Sequence, residues 1–167
     1  MSSTEHKALA PDRARVFVLT VSDTRTDDTD TAGRAIIELL LAAGHQVAGR
    51  AIEPDEPARV AELVRQQTAI GDVDAIITTG GTGLTSRDST FEAIDALLHK
   101  RLPGFGELFR MLSYHDIGAA AMLSRACAGT IGRVVVISLP GSDKAVRLAM
   151  NKLVVPELGH MIQQAQK

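Results

Sequence analysis

Three glycines in four residues, Gly80-Gly81-Thr82-Gly83, follow the extended-type run Ala75-Ile76-Ile77-Thr78-Thr79 and are followed shortly by Arg87-Asp88. A glycine turn directly after a strand lets backbone N–H groups approach an anion closely, which is phosphate-cradle chemistry, with the Thr82 hydroxyl as an added donor. The same turn also suits a plain strand-to-helix reversal that needs positive φ. A second carboxylate, Asp55, stands in Pro54-Asp55-Glu56-Pro57 beyond another extended run. Together Asp55 and Asp88 can grip a Mg²⁺ that bridges nucleotide phosphates. Each equally suits helix capping, Asp55 for a helix from Pro57 and Asp88 for one from about Ser89. In Leu139-Pro140-Gly141-Ser142, Ser142 falls at a helix start, where free N–H groups favour an anion or simply accept a capping hydroxyl.

Other chemistries lose support. No Lys-Ser or Lys-Thr follows Gly83, as a Walker A loop requires, and Ser86 stands where a dinucleotide fingerprint needs its third glycine. No serine sits in a Gly-x-Ser-x-Gly elbow. The five histidines have no i,i+4 pairing and no cysteine beside them, which argues against zinc. Cys127 reads as a small buried residue. Asp27, Asp28 and Asp30 read as solvated loop charges, and only Ser22 and Asp23 lie close enough to a strand end to matter. Without a covalent nucleophile, the residues suit a transferase whose nucleophile belongs to the substrate and which needs only positioning and electrostatic stabilisation.

The elements that must hold these residues follow from periodicity. Apolar, β-branched runs predict strands at 16–21, 47–52, 72–79 and 133–138. Helical spacing predicts helices over 32–43, 57–69, 89–98, 103–113 and 142–166, the last bent or interrupted at Pro156, while 119–128 fits either a helix or an irregular buried segment. Alternation of this kind specifies an α/β fold with a mostly parallel sheet and helices on both faces. If those strands run parallel, the turns after them, at 22–25, 53–56, 80–88 and 139–142, emerge on one carboxyl edge, where ligands bind in such sheets.

The 167 residues suit one domain, expected over 15–167 after a flexible leader at 1–14. Only 3% of residues are aromatic and the net charge is −2, which discounts nucleic acid as a partner. A single cysteine and the absence of a secretory-type or membrane-length apolar run point to the cytoplasm.

At this point the residues resemble a known family, the molybdenum cofactor biosynthesis proteins of the MogA/MoaB type, related to the G domain of gephyrin. The likeness spans about residues 15–160 and rests on Val21-Ser22-Asp23, Pro54-Asp55-Glu56, Thr78 to Gly83, Arg87-Asp88, Pro103-Gly104-Phe105-Gly106-Glu107, Ser124-Arg125 and Leu139 to Ser142. The 104–107 and 124–129 stretches look most like the MoaB branch. The resemblance implies a three-layer αβα sandwich, a homotrimer or homohexamer, and Mg-ATP-dependent adenylylation of molybdopterin. It assigns Asp55 and Asp88 to catalysis and Mg²⁺, and Gly80, Gly81, Thr82 and Gly83 to the nucleotide phosphates. Ser22, Asp23, Ser113, Ser124, Pro140, Gly141 and Ser142 would face molybdopterin. Active relatives follow Arg-Asp with Val-Thr-Pro and an acid, whereas this chain has Ser89-Thr90-Phe91-Glu92, losing the proline and keeping the acid. A catalytically inactive molybdopterin-binding scaffold or carrier is the alternative that the resemblance allows.

Overall fold

The computed structural model describes residues 7, 8 and 10–167. Residues 1–6 and 9 of the expected leader lie outside the described residues, but its last residue, Ala14, is fully buried. Four strands run parallel: β1 (Arg15–Val21), β2 (Gln46–Glu53), β3 (Ala75–Thr79) and β6 (Val134–Leu139), in the order β2-β1-β3-β6. Two strands that periodicity did not predict extend the sheet antiparallel, β5 (Cys127–Ile131) beside β6 and the short β4 (Lys100–Arg101) at the far edge. The stretch that read ambiguously at 119–128 divides into a 3₁₀ turn, Gly118–Leu123, and the start of β5. The small residues of β5 carry no alternation for periodicity to catch, and Gly129 lies so close to β4 that a methyl group there would sit 2.2 Å from the Lys100 carbonyl oxygen.

Side chains of the parallel strands alternate between two buried faces. Val16, Val18, Ile77 and Ile137 pack under α1 (Thr31–Ala42), α4 (Pro103–Ile117), α5 (Asp143–Ala149) and α6 (Val155–Gln166). Phe17, Leu19, Ile76 and Val136 pack under α2 (Pro57–Ile70) and α3 (Thr90–Leu97). Burial on both sides is why these strands read as unbroken apolar runs. The third strand is shorter than 72–79 and begins at Ala75; just ahead of it Asp74 donates its N–H to the Arg15 carbonyl at 2.8 Å and its own carbonyl accepts the Val135 N–H at 3.1 Å, while its carboxylate accepts the Arg15 N–H at 2.8 Å and Nη2 at 3.1 Å. The last helix is interrupted before Pro156 rather than at it, by a π-helical turn over Met150–Val154. Proline clashes with the carbonyl four residues back, and widening the preceding turn relieves the clash.

Register aligns the strand ends. Ile52 pairs with Thr20, Thr20 with Thr79, and Thr79 with Leu139, so the four turns that follow leave the sheet side by side. β1 has neighbours reached by crossovers in opposite directions, β2 on one side and β3 on the other, and the crevice between their carboxyl ends is a topological switch point.

At the base of the sheet His45 is buried and its Nδ1 accepts the Ala14 N–H at 3.1 Å, which burial reinforces by holding the ring's pKa below its ordinary value. The unfolded chain therefore binds the extra proton more readily, and stability present above the unfolded pKa of about 6.5 is lost as pH falls through it. Urea midpoints are expected to drop from about pH 7.5 to about pH 5.5, with His45→Gln removing most of that dependence. An unchanged slope in the variant would show that another group is responsible.

Candidate functional site

The glycine turn is pinned from three sides. Gly80 donates its N–H to the Leu139 carbonyl at 3.0 Å, and the Thr79 hydroxyl donates to the Pro140 carbonyl at 2.7 Å, so the turns after β3 and β6 are joined. Gly80 and Gly81 both have positive φ, 98° and 67°. A methyl group at Gly80 would sit 2.1 Å from the Val21 carbonyl oxygen, and one at Gly81 would sit 2.6 Å from Asp55 Oδ2. Both the backbone conformation and the space demand glycine here. Among the described residues, the N–H groups of Gly81, Thr82, Gly83 and Leu84 donate to no partner.

Asp55 is buried, yet it does not cap its own helix, α2, whose capping position belongs to Glu56. Its Oδ1 instead accepts from the Ser89 N–H at 3.2 Å, the Ser89 hydroxyl at 2.8 Å and the Thr90 hydroxyl at 3.2 Å, anchoring the start of α3 from across the cleft. Nor does Asp88 cap α3. Its Oδ2 accepts from the Thr85 N–H at 3.1 Å and the Thr85 hydroxyl at 2.5 Å, closing the turn that follows the glycines. Each carboxylate is therefore held through one oxygen, and Asp55 Oδ2 and Asp88 Oδ1 take no hydrogen bond among the described residues.

Asp23 ties the turns together. Its carboxylate accepts the Asp55 N–H at 3.1 Å and both Nε and Nη2 of Arg87, at 2.7 and 2.9 Å. The Arg87 hydrogen bonds, followed by that of the Asp55 backbone, hold the Asp23 carboxyl below its ordinary pKa. The Ser22 hydroxyl oxygen accepts the N–H groups of Thr24 and Arg25, at 3.2 and 3.0 Å, shaping the first loop.

Asp30 corrects the sequence reading. It is 1% exposed rather than solvated, and it caps α1 by accepting the Gly33 N–H at 2.9 Å. Its other oxygen accepts the Thr20 hydroxyl at 2.6 Å and Arg50 Nη2 at 2.8 Å. Burial pushes its pKa up, but the bonds from Thr20, Arg50 and Gly33 outweigh that and keep the group ionised. An aspartate directly before a helical run was the signal for it, and Asp27 and Asp28 are exposed as expected.

These residues enclose a cleft of ≈ 310 Å³ at the switch point. Of the sequence-predicted site residues, Ser22, Asp23, Asp55, Gly80, Gly81, Asp88 and Gly141 line it. Thr82, Gly83, Pro140 and Ser142 belong to the adjoining turns but not to its wall. Ser142 caps α5, its hydroxyl accepting the Ala145 N–H at 3.2 Å. Ser113 is buried within α4 and Ser124 follows the 3₁₀ turn, both away from the cleft wall. Thr20, Val21, Arg25, Asp30, Ala32, Thr79, Thr85 and Arg87 complete the lining; Val21, Thr79 and Arg87 stand in the family markers, and none of the eight was assigned to the site from sequence. Phe91, standing where the active-relative pattern has proline, lies with its ring centroid 4.8 Å from the Arg125 guanidinium carbon. Cys127, partly buried at the start of β5, has its thiol pushed up to about 12 by burial, which makes it a poor nucleophile.

The model of a probable molybdopterin binding domain matches residues 17–160. The chain belongs to the MoaB-type molybdenum cofactor biosynthesis proteins. It is 56% identical over 162 residues to molybdenum cofactor biosynthesis protein B of Bacillus anthracis, covering 96% of each chain. A crystal structure of a molybdenum cofactor biosynthesis protein B superimposes with a TM-score of 0.90 at 54% identity, over 93% of this chain and 98% of that one. The tungsten cofactor synthesizing protein MoaB from Pyrococcus furiosus follows with a TM-score of 0.82 at 40% identity, over 95% of this chain and 100% of its own.

Within this MoaB-type site, Gly80→Ala is expected to lower stability by about 2–4 kcal/mol, because strain at positive φ adds to a backbone clash. Gly132→Ala, also at positive φ (57°) but with open space around it, is expected to cost about 1 kcal/mol. Equal losses in urea unfolding would remove the claim that close approach of β1 dictates Gly80.

Proposed function

We propose that this chain catalyses Mg²⁺-dependent adenylyl transfer from ATP to molybdopterin in molybdenum cofactor biosynthesis. The observation that supports this best is a cleft that holds Gly81 and two carboxylates, each with one oxygen open, at the start of a run of unpaired amides that continues from Gly81 to Leu84 in the adjoining turn. The cleft, ≈ 310 Å³, is of a size for the phosphate tail of a nucleotide rather than for both substrates whole.

Among the described residues no three metal-binding side chains converge. That donor set fits Mg²⁺, which is held by one or two carboxylates together with substrate phosphates and rarely by an all-protein cage. Asp55 and Asp88 would hold the ion; when bound, it supplies neutralisation of charge on the transferring phosphate. In the reaction a terminal phosphate oxygen of molybdopterin bonds to the α-phosphorus of ATP. The bond from that phosphorus to the bridging oxygen breaks, and pyrophosphate leaves with the electron pair. The attacking phosphate is already ionised, so no general base is required. What remains for Gly80, Gly81, Thr82 and Gly83 is to orient the triphosphate, while Asp23 and Arg87 keep the turns in place. Ser22 and Gly141, on the cleft wall, suit the pterin phosphate, and Ser113, Ser124, Pro140 and Ser142 are assigned to molybdopterin by family resemblance.

Self-association belongs to the same proposal. Leu108, Met111, Tyr114 and Ile117 recur every third residue along α4 and are exposed, and Met122 and Leu123 continue the patch. A face this apolar is best accounted for by burial against further copies of the chain, as a homotrimer or homohexamer. Light scattering is expected to give three or six chain masses for the wild type and a smaller particle for Met111→Glu; a monomeric wild type would reject the assembly.

Purified protein supplied with Mg-ATP and molybdopterin is expected to release pyrophosphate. Asp55→Asn and Asp88→Asn should each lower kcat by about a hundredfold or more with little change in Tm, since asparagine can still offer the oxygen that anchors the loop. Wild-type protein that binds molybdopterin tightly yet ignores ATP would overturn the enzyme reading and establish the scaffold in its place.

A further inference from the structure

The guanidinium of Arg125 grips the glycine turn from outside the cleft. Its Nε donates to the Thr82 carbonyl at 2.9 Å, Nη2 donates to the Gly83 carbonyl, and Nη1 pairs with the Glu92 carboxylate. The Phe91 ring covers it at 4.8 Å, and the side chain is only 22% exposed. All three nitrogens are thus spent on fixed partners, an arrangement that suits the planar fork of arginine and not the point charge of lysine.

Two successive carbonyls held from one side orient two successive peptide planes. In a trans peptide the C=O and N–H of one unit point in opposite directions, so the N–H groups of Gly83 and Leu84 face away from the guanidinium. Those N–H groups, with those of Gly81 and Thr82, are the ones without partners among the described residues. A turn this rich in glycine has much conformational freedom to lose on meeting a ligand, and a bracket that removes it beforehand raises affinity.

We propose that Arg125, seated between Phe91 and Glu92, is a positioning residue that presets the amides of Gly83 and Leu84 for the phosphate groups of a nucleotide. This rests on the cleft being a Mg-ATP site, as set out above. Phe91 and Glu92 thereby become working parts of the site although neither lines the cleft.

The test uses the full chain as wild type, Arg125→Met and Arg125→Lys. Hydrogen–deuterium exchange across residues 80–88 is expected to quicken by about tenfold or more in Arg125→Met, with the strands unchanged, and lysine is expected to restore little of the protection. Calorimetry is expected to show the Kd for Mg-ATP rising about tenfold or more, while the affinity for adenosine, which has no phosphates, stays at the wild-type value. Wild-type exchange together with wild-type Mg-ATP affinity in Arg125→Met would overturn the proposal, as would an equal loss of adenosine binding. If Arg125→Met does not fold, Phe91→Leu and Glu92→Gln each remove one support, and exchange across 80–88 must rise in both or the bracket is rejected. Should wild-type protein bind no Mg-ATP, the nucleotide reading of the cleft falls, and the exchange comparison still decides whether Arg125 holds the turn.

Discussion

The carboxylate of Asp23 joins three chain segments that sequence keeps far apart. It takes the N–H of Asp55 from the turn after β2 and the guanidinium of Arg87 from the glycine turn after β3, and it belongs itself to the turn after β1. This bond set is possible only because parallel pairing ends the strands in one row, with Thr20 between Ile52 and Thr79. A register slip of one residue would turn every side chain to the opposite face and leave Asp23 facing another partner. The geometry of the cleft is therefore a consequence of how the sheet is paired, and the loops inherit it.

Four aspartates line this cleft, a concentration of like charge that water alone would not make comfortable. The structure divides them by partner. Asp30 is consumed by Arg50, Thr20 and the first turn of α1, and Asp23 by Arg87. Asp55 and Asp88 bond only to neutral hydroxyl and amide groups, through one oxygen each, which leaves each with one open oxygen. Residues of one type thus differ in how many oxygens they leave open to the cleft, according to which cation each can reach.

The alternation of apolar strands and amphipathic helices, the four turns on one edge, and the glycine turn with Asp55 and Asp88 were all legible before any coordinates. The residues that escaped notice did so for particular reasons. β5 has small residues buried on both sides and shows no period. Asp30 stood among acidic neighbours that are solvated, and its burial depends on Arg50, twenty residues away on the neighbouring strand β2. Arg125 was legible as part of a family marker, but the turn that it holds is forty-odd residues earlier in the chain.

Local chemistry, then, determined what the chain carries: which segments extend, which coil, where glycine must relieve the backbone, and which carboxylates follow strand ends. Those follow from forces acting over a few residues, side-chain periodicity and φ preference, and so can be read in order along the sequence. Which oxygen of Asp55 is anchored, which aspartate is neutralised, and what fixes the glycine amides were decided only by tertiary structure. Those depend on hydrogen bonds between segments that meet through strand pairing and helix packing, and no spacing within one segment encodes them.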